Sequence, residues 1–243
     1  MTEKPIIFQG HSVIAILSGE KTQTRRVIKP QPIEDVAPED CTGYTYLDGT
    51  RDKDGVHITK FTKYCPEMRL WVREAWRIVN WNHEDGTIAV QYKADDEIVW
   101  KEPPEGDDGE PFTDLWIECS EECIDAGIET GEDGNFIFPD GVAPTRWRNP
   151  LFMPRYASRI TLEVTDVRIQ RLHDISEEDA MAEGVTPVIS KKIHGWTPCV
   201  LEFYLLWNEI NGKKWPWKSN PWVYSLSFRK VEESFPTSVK NSP

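Results

Sequence analysis

The chain has 243 residues, five cysteines and a formal net charge of -13. It carries no run of eighteen apolar residues and no charged-then-apolar leader, so a soluble cytoplasmic protein with a core of its own is expected rather than a membrane span. Cys41, Cys65, Cys119, Cys123 and Cys199 are odd in number and scattered, which excludes a disulfide framework; Cys119 and Cys123 lack the companions of a four-ligand zinc set, so no metal or other cofactor is expected.

The acidity is local. Between Asp95 and Asp140 stand seventeen carboxylates against Lys101 alone, a balance of -16, and the rest of the chain is left at +3. A partner carrying phosphates is therefore not excluded by the total.

In chain order, residues 5–8 read as a first strand, and Val13, Ile14, Ile16 and Leu17 recur at helical spacing over His11–Ser18. Gly19 stands where a helix-ending glycine belongs. The polar stretch Glu20-Lys21-Thr22-Gln23-Thr24-Arg25-Arg26 follows, and the prolines at 30 and 32 keep the next segment extended. Residues 34–62 read as loops with a hairpin turn at Asp54-Gly55. Arg69–Trp76 and Ile88–Tyr92 read as strands from their aromatic and β-branched content.

The acidic stretch, about 94–144, reads as a loosely folded surface insertion, the alternative being a nucleic-acid mimic or an electrostatic gate. In Thr145–Arg159, four arginines interleave with aromatics; they suit phosphate contacts or, equally, pairing with the acidic block. Ile160–Ile169 alternates strictly and predicts a strand. Ser176-Glu177-Glu178-Asp179 is a helix start, and that helix stops at Gly184. A second helix over Pro198–Ile210 is predicted to bury Val200, Phe203, Tyr204, Leu206, Trp207 and Ile210, with Trp215, Trp217 and Trp222 as core and rim and Pro221–Phe228 as the last strand. Residues 232–243 read as a frayed tail, and 1–231 as a single domain. The order predicts an α+β fold, a small curved or barrel-like sheet with flanking helices.

At Gly19-Glu20-Lys21-Thr22-x-Thr24-x-Arg26 the chain resembles the ASCH family of the PUA-like superfamily, and its eleven tryptophans liken it to the longer members carried by phages and prophages. Trp71-Val72-Arg73-Glu74 resembles the family's central strand, though Pro66-Glu67-Met68 stands where the family has Gly-Asp. Residues 160–171, Ser176–Gly184 and Pro221–Phe228 resemble its later strand, helix and closing strand. The resemblance implies a PUA-like β-barrel acting on RNA or a modified nucleoside in a bacterial or phage-infected cytoplasm.

The smallest bacterial members of the family are similar to N(4)-acetylcytidine amidohydrolases. Carried across, their catalytic lysine, threonine and glutamate fall on Lys21, Thr24 and Glu183. Thr22, Arg25, Arg26, Arg73, Glu74, Arg155 and Arg159 are the expected substrate- or nucleic-acid-binding residues. Thr24 would attack an amide carbonyl, Lys21 with a depressed pKa would take its proton, and Glu183 would orient the amine. Binding of RNA or a modified base without turnover, and metal-independent RNA cleavage, are the other functions the resemblance implies.

Overall fold

The computed structural model describes residues 3–31, 62–82, 86–102, 113–132, 134–138, 141–186 and 196–231. The turn expected at Asp54-Gly55 and the tail 232–243 lie outside them. The strands are β1 (Glu3–Ile7), β2 (Gln23–Val27), β3 (Arg69–Arg73), β4 (Trp76–Asn82), β5 (Thr87–Tyr92), β6 (Ile98–Lys101), β7 (Thr161–Arg171) and β8 (Trp222–Val231). The helices are α1 (Gly10–Leu17), α2 (Thr113–Asp125), α3 (Glu177–Ala182) and α4 (Pro198–Asn211). The fold is α+β, with strand orders β1-β3-β7-β8-β2 and β4-β5-β6; among the described residues neither sheet closes into a barrel. No helix among them is long and apolar enough to cross a membrane.

The chain divides into two compact units, one of Met1–Lys4, Ala15–Leu70 and Ile160–Pro243, the other of Pro5–Ile14 and Trp71–Arg159. In the first, β7 and β8 pair antiparallel from Thr161↔Val231 to Arg171↔Trp222, with a bulge between Val164 and Asp166. β2 then pairs with β8 from Gln23↔Ser227 to Val27↔Val223. Leu172, Ile175, Ala180, Cys199, Phe203, Trp207, Trp217 and Val223 form one core cluster. α4 contributes Cys199, Phe203 and Trp207, four residues apart on one face; Ile210, expected inside, shares that face but lies in the last turn of the helix and is exposed. Thr197 precedes α4 without a side-chain cap of its own, and Glu177 supplies one by accepting from Cys199 N at 3.1 Å.

The second unit holds the meander β4-β5-β6. Its core gathers Trp76, Ile78, Ile88, Val90, Tyr92, Cys119, Met153 and Ala157. The segment read as one strand over Arg69–Trp76 breaks at Glu74-Ala75 into β3 and β4. The acidic stretch is folded where it is described: it supplies β6 and α2. Leu115, Trp116 and Cys119 of α2 pack on the core and Cys123 is buried, while Glu121 and Asp125 are exposed. Those apolar positions keep helical spacing, but the density of carboxylates masks the period in the sequence.

Candidate functional site

α1 ends at Gly19, whose φ of 81° takes the left-handed turn that the glycine predicts. The chain then runs back beside the end of α3: Lys21 N donates to Ala15 O at 2.9 Å and Thr22 N to Ala182 O at 2.9 Å, and Lys21 and Glu183 form an antiparallel bridge. Ser176 starts α3 by accepting from Asp179 N at 3.1 Å, and the three acids of its first turn sit at the positive end of the helix. Gly184, with φ of 80°, turns the chain away so closely that a Cβ there would lie 2.9 Å from Lys21 Cβ and 3.0 Å from Ala15 Cβ.

This places Lys21 against Glu183. The amine donates to Glu183 Oε2 and to Glu183 O, both at 2.7 Å, and each side chain is 4% exposed. Burial drives the Lys21 pKa below the ordinary lysine value; Glu183 opposes that fall, and the charges of Arg26 and Arg25 add to it. An amine held this way releases its proton more readily than an exposed lysine, while the carboxylate in contact favours the charged form. The same geometry also caps the C-terminal end of α3 with a cation.

Arg25 reaches the same carboxylate, donating to Glu183 Oε1 at 3.1 Å, to Gln23 Oε1 at 2.6 Å and to Asp179 Oδ2 at 2.6 Å. Its side chain is 0% exposed, so the guanidinium predicted to bind substrate is committed inside the protein. Burial alone would raise the Asp179 pKa, but Arg168 and Arg25 outweigh it and hold the carboxyl below its usual value. Arg25 Nε, Gln170 Nε2 and Ser225 Oγ are buried without a partner. Ser225 stands directly opposite both Arg25 and Arg168 in the register, so these groups make the face of the sheet beside α3 polar.

Thr24 does not join this contact. It is buried opposite Leu226, and strand alternation turns it to the face of β2 away from Gln23 and Arg25. Arg26 shares Thr24's face, opposite Tyr224, whose ring centroid is 5.9 Å from that of Tyr64. Burial and Tyr64 push the Tyr224 hydroxyl up to about 12, against the pull of Arg26. Thr22 is exposed. Of the three predicted catalytic residues, two meet and the third faces elsewhere.

The remaining predicted binding residues belong to the second unit. Arg159 grips Glu74 with two hydrogen bonds of 2.9 Å, also pairs with Asp95 at 2.8 Å and with Glu97, and lies over the Tyr92 ring, 4.1 Å from its centroid. Arg73 donates to Leu151 O at 2.8 Å and stacks on Trp71 at 4.6 Å. Arg155 opens the short 3-10 turn Arg155–Ala157 and is half-buried. Arg146 and Arg148 both pair with Glu118 and Glu122 of α2, so these arginines of the 145–159 stretch do answer the acidic block.

Two residues of the first unit's cluster are absent from the sequence reading, Asp179 as a charge partner and Arg168. The alternation Lys21-x-Gln23-x-Arg25 sends three long polar side chains to one face and leaves Thr24 on the other, but it carries no signal for Arg168 or Asp179. Among the described residues no group of three or more His, Cys, Asp or Glu side chains is arranged to hold a metal ion. Comparisons with family models, with curated proteins and with solved structures find no match to this chain.

Proposed function

We propose that this protein acts on RNA or a modified nucleoside and hydrolyses an acyl amide on cytidine, as the ASCH-type amidohydrolases it resembles do. The observation that carries this reading is the buried 2.7 Å contact between Lys21 Nζ and Glu183 Oε2, made by residues 162 positions apart. The reading includes the fold: the β7-β8-β2 sheet with α3 and α4 is taken as part of a PUA-like barrel.

In the reaction, water adds to the acyl carbonyl while neutral Lys21 takes its proton. The ammonium then returns that proton to the departing cytosine N4 as the C–N bond breaks, giving a free carboxylic acid and cytidine. Glu183 holds the amine in place and balances its charge in the protonated form. Water is the nucleophile because Thr24 turns to the other face of β2. Thr24→Ala is therefore expected to keep turnover, whereas Lys21→Ala abolishes it.

The test is to incubate the protein with N(4)-acetylcytidine and follow free cytidine by chromatography, with circular dichroism to check folding of each variant. No release by the wild type, or undiminished release by folded Lys21→Ala, sinks the hydrolytic reading. A second reading, binding of RNA or a modified base without turnover, is favoured by one feature: Arg25 and Glu183 are buried and hydrogen-bonded to each other and to their neighbours, as members of a structural ion network are. It predicts RNA retention that falls steeply with added salt and no cytidine release.

A further inference from the structure

Glu183 divides its carboxylate between two cations. Oε2 meets Lys21 at 2.7 Å and Oε1 meets Arg25 at 3.1 Å. Asp179 is divided in the same way, with Oδ2 on Arg25 at 2.6 Å and Oδ1 on Arg168 at 2.8 Å. Arg168 Nε in turn faces Asp166 Oδ2 at 3.4 Å. Six side chains thus alternate in sign from Asp166 through Arg168, Asp179, Arg25 and Glu183 to Lys21, and their formal charges cancel.

An unrestrained guanidinium prefers to grip a carboxylate with both arms, using both oxygens. Arg25 does not do so with Glu183, because its second arm is drawn to Asp179 and its first is shared with Gln23. That leaves Oε2 free for the lysine. We propose that Arg25 is a positioning residue for the Lys21–Glu183 pair: held by Asp179 and Gln23, it fixes the rotation of the Glu183 carboxylate so that one oxygen serves the amine and the other does not.

A lysine at position 25 supplies a point charge without the fork and cannot satisfy both acids in this geometry. The charged groups acting on the Lys21 amine are Glu183, Arg26 and Arg25, and those facing Arg25 are Glu183 and Asp179. Removing Arg25 deletes a cation near the amine and leaves the whole carboxylate to it, so both changes raise the proton affinity of Lys21. Releasing Arg25 from Asp179 acts oppositely: the guanidinium turns both arms on Glu183 and the amine loses its share.

The proposal rests on the hydrolytic reading only in calling the pair's work catalysis, so its test reads the amine itself. Protein labelled with 13C at lysine Cε is titrated by NMR, with the Lys21 signal assigned through its loss in Lys21→Arg. The Lys21 midpoint is expected to rise by about one pH unit in Arg25→Met, a tenfold change in affinity, to rise less in Arg25→Lys, and to fall in Asp179→Asn. If cytidine is released, the acid limb of kcat/KM, where neutral Lys21 is required, moves with the midpoint in each variant. Folded Arg25→Met with an unmoved midpoint and only a lower Tm overturns the proposal. Should Arg25→Met fail to fold, Asp179→Asn decides by the sign of its shift, an unmoved or raised midpoint overturning it. Shifted midpoints without cytidine release leave the positioning role standing and remove the hydrolytic reading.

Discussion

Each unit of this chain buries an arginine among carboxylates, yet the two clusters differ in what they can do with a proton. In the second unit Arg159 faces Glu74, Asp95 and Glu97; burial works against its charge, but Glu74 and Asp95 outweigh it and lift its already high pKa further. Burial raises the Glu74 carboxyl, and Arg159 opposes the rise. The Arg159 guanidinium gives up no proton under such conditions. In the first unit a lysine closes the chain of charges, and its pKa is lowered. The lesson is that one ionisable amine separates a guanidinium clamp from a cluster holding a group whose pKa burial lowers, although both arginines are buried and their ion-pair distances are similar.

The sharpest way to break this comparison is to cut the clamp. Arg159→Ala leaves Glu74, 1% exposed, as a buried carboxylate without its partner. Removing one member of a buried pair is expected to cost about 3–5 kcal/mol, read as a large drop in Tm or in the denaturant midpoint. Turnover of the protein that remains folded should be unchanged if the second unit's cluster is structural. A loss of activity with little loss of stability would make Arg159 part of the site instead.

Gly184→Ala sharpens the other side. The added methyl meets Lys21 Cβ and Ala15 Cβ at 2.9 and 3.0 Å, both fixed to the backbone, at a residue whose φ is already positive. Relief requires the Lys21 strand to move off the end of α3, at about 1–3 kcal/mol. Gly19→Ala is the matched control: its φ is equally positive, at 81°, but nothing lies within 4 Å of the new Cβ. The two variants should share the conformational penalty and differ in the Lys21 environment, which the Cε signal of Lys21 reports.

What the sequence discloses here follows from how each pattern is written. The helix end at Gly19, the cap at Ser176 and the stop at Gly184 are local signals, and the approach of Lys21 to Glu183 follows once α1 and α3 end where those glycines put them. The separation of Thr24 from Lys21 was equally available, since alternation along Gln23–Val27 sets the facing. The short polar motif reads as a loop, and that reading hides the strand. α2 is obscured differently: Leu115, Trp116, Cys119 and Cys123 keep a helical period, but the five acids of Asp114–Asp125 interleaved with them mask it. Arg168 and Asp179, 11 positions apart, meet because the chain turns back from β7 into α3, a reversal no local periodicity encodes.

The smallest expected effect tests whether burial, rather than the number of ion pairs, distinguishes these clusters from their surroundings. Arg146 pairs with Glu118 and Glu122, as Arg159 pairs with several acids, but its side chain is 67% exposed. In water the attraction is screened, and holding two long side chains together offsets most of what remains. Arg146→Ala is expected to change stability by less than about 0.5 kcal/mol, and added salt should erase even that. Arg159→Ala, whose pair is buried, should keep its effect in the same salt series. Equal salt sensitivity for both variants would mean that the Arg159 cluster opens to solvent, and the contrast between clamp and surface pair would then have to be drawn from chain entropy instead of burial.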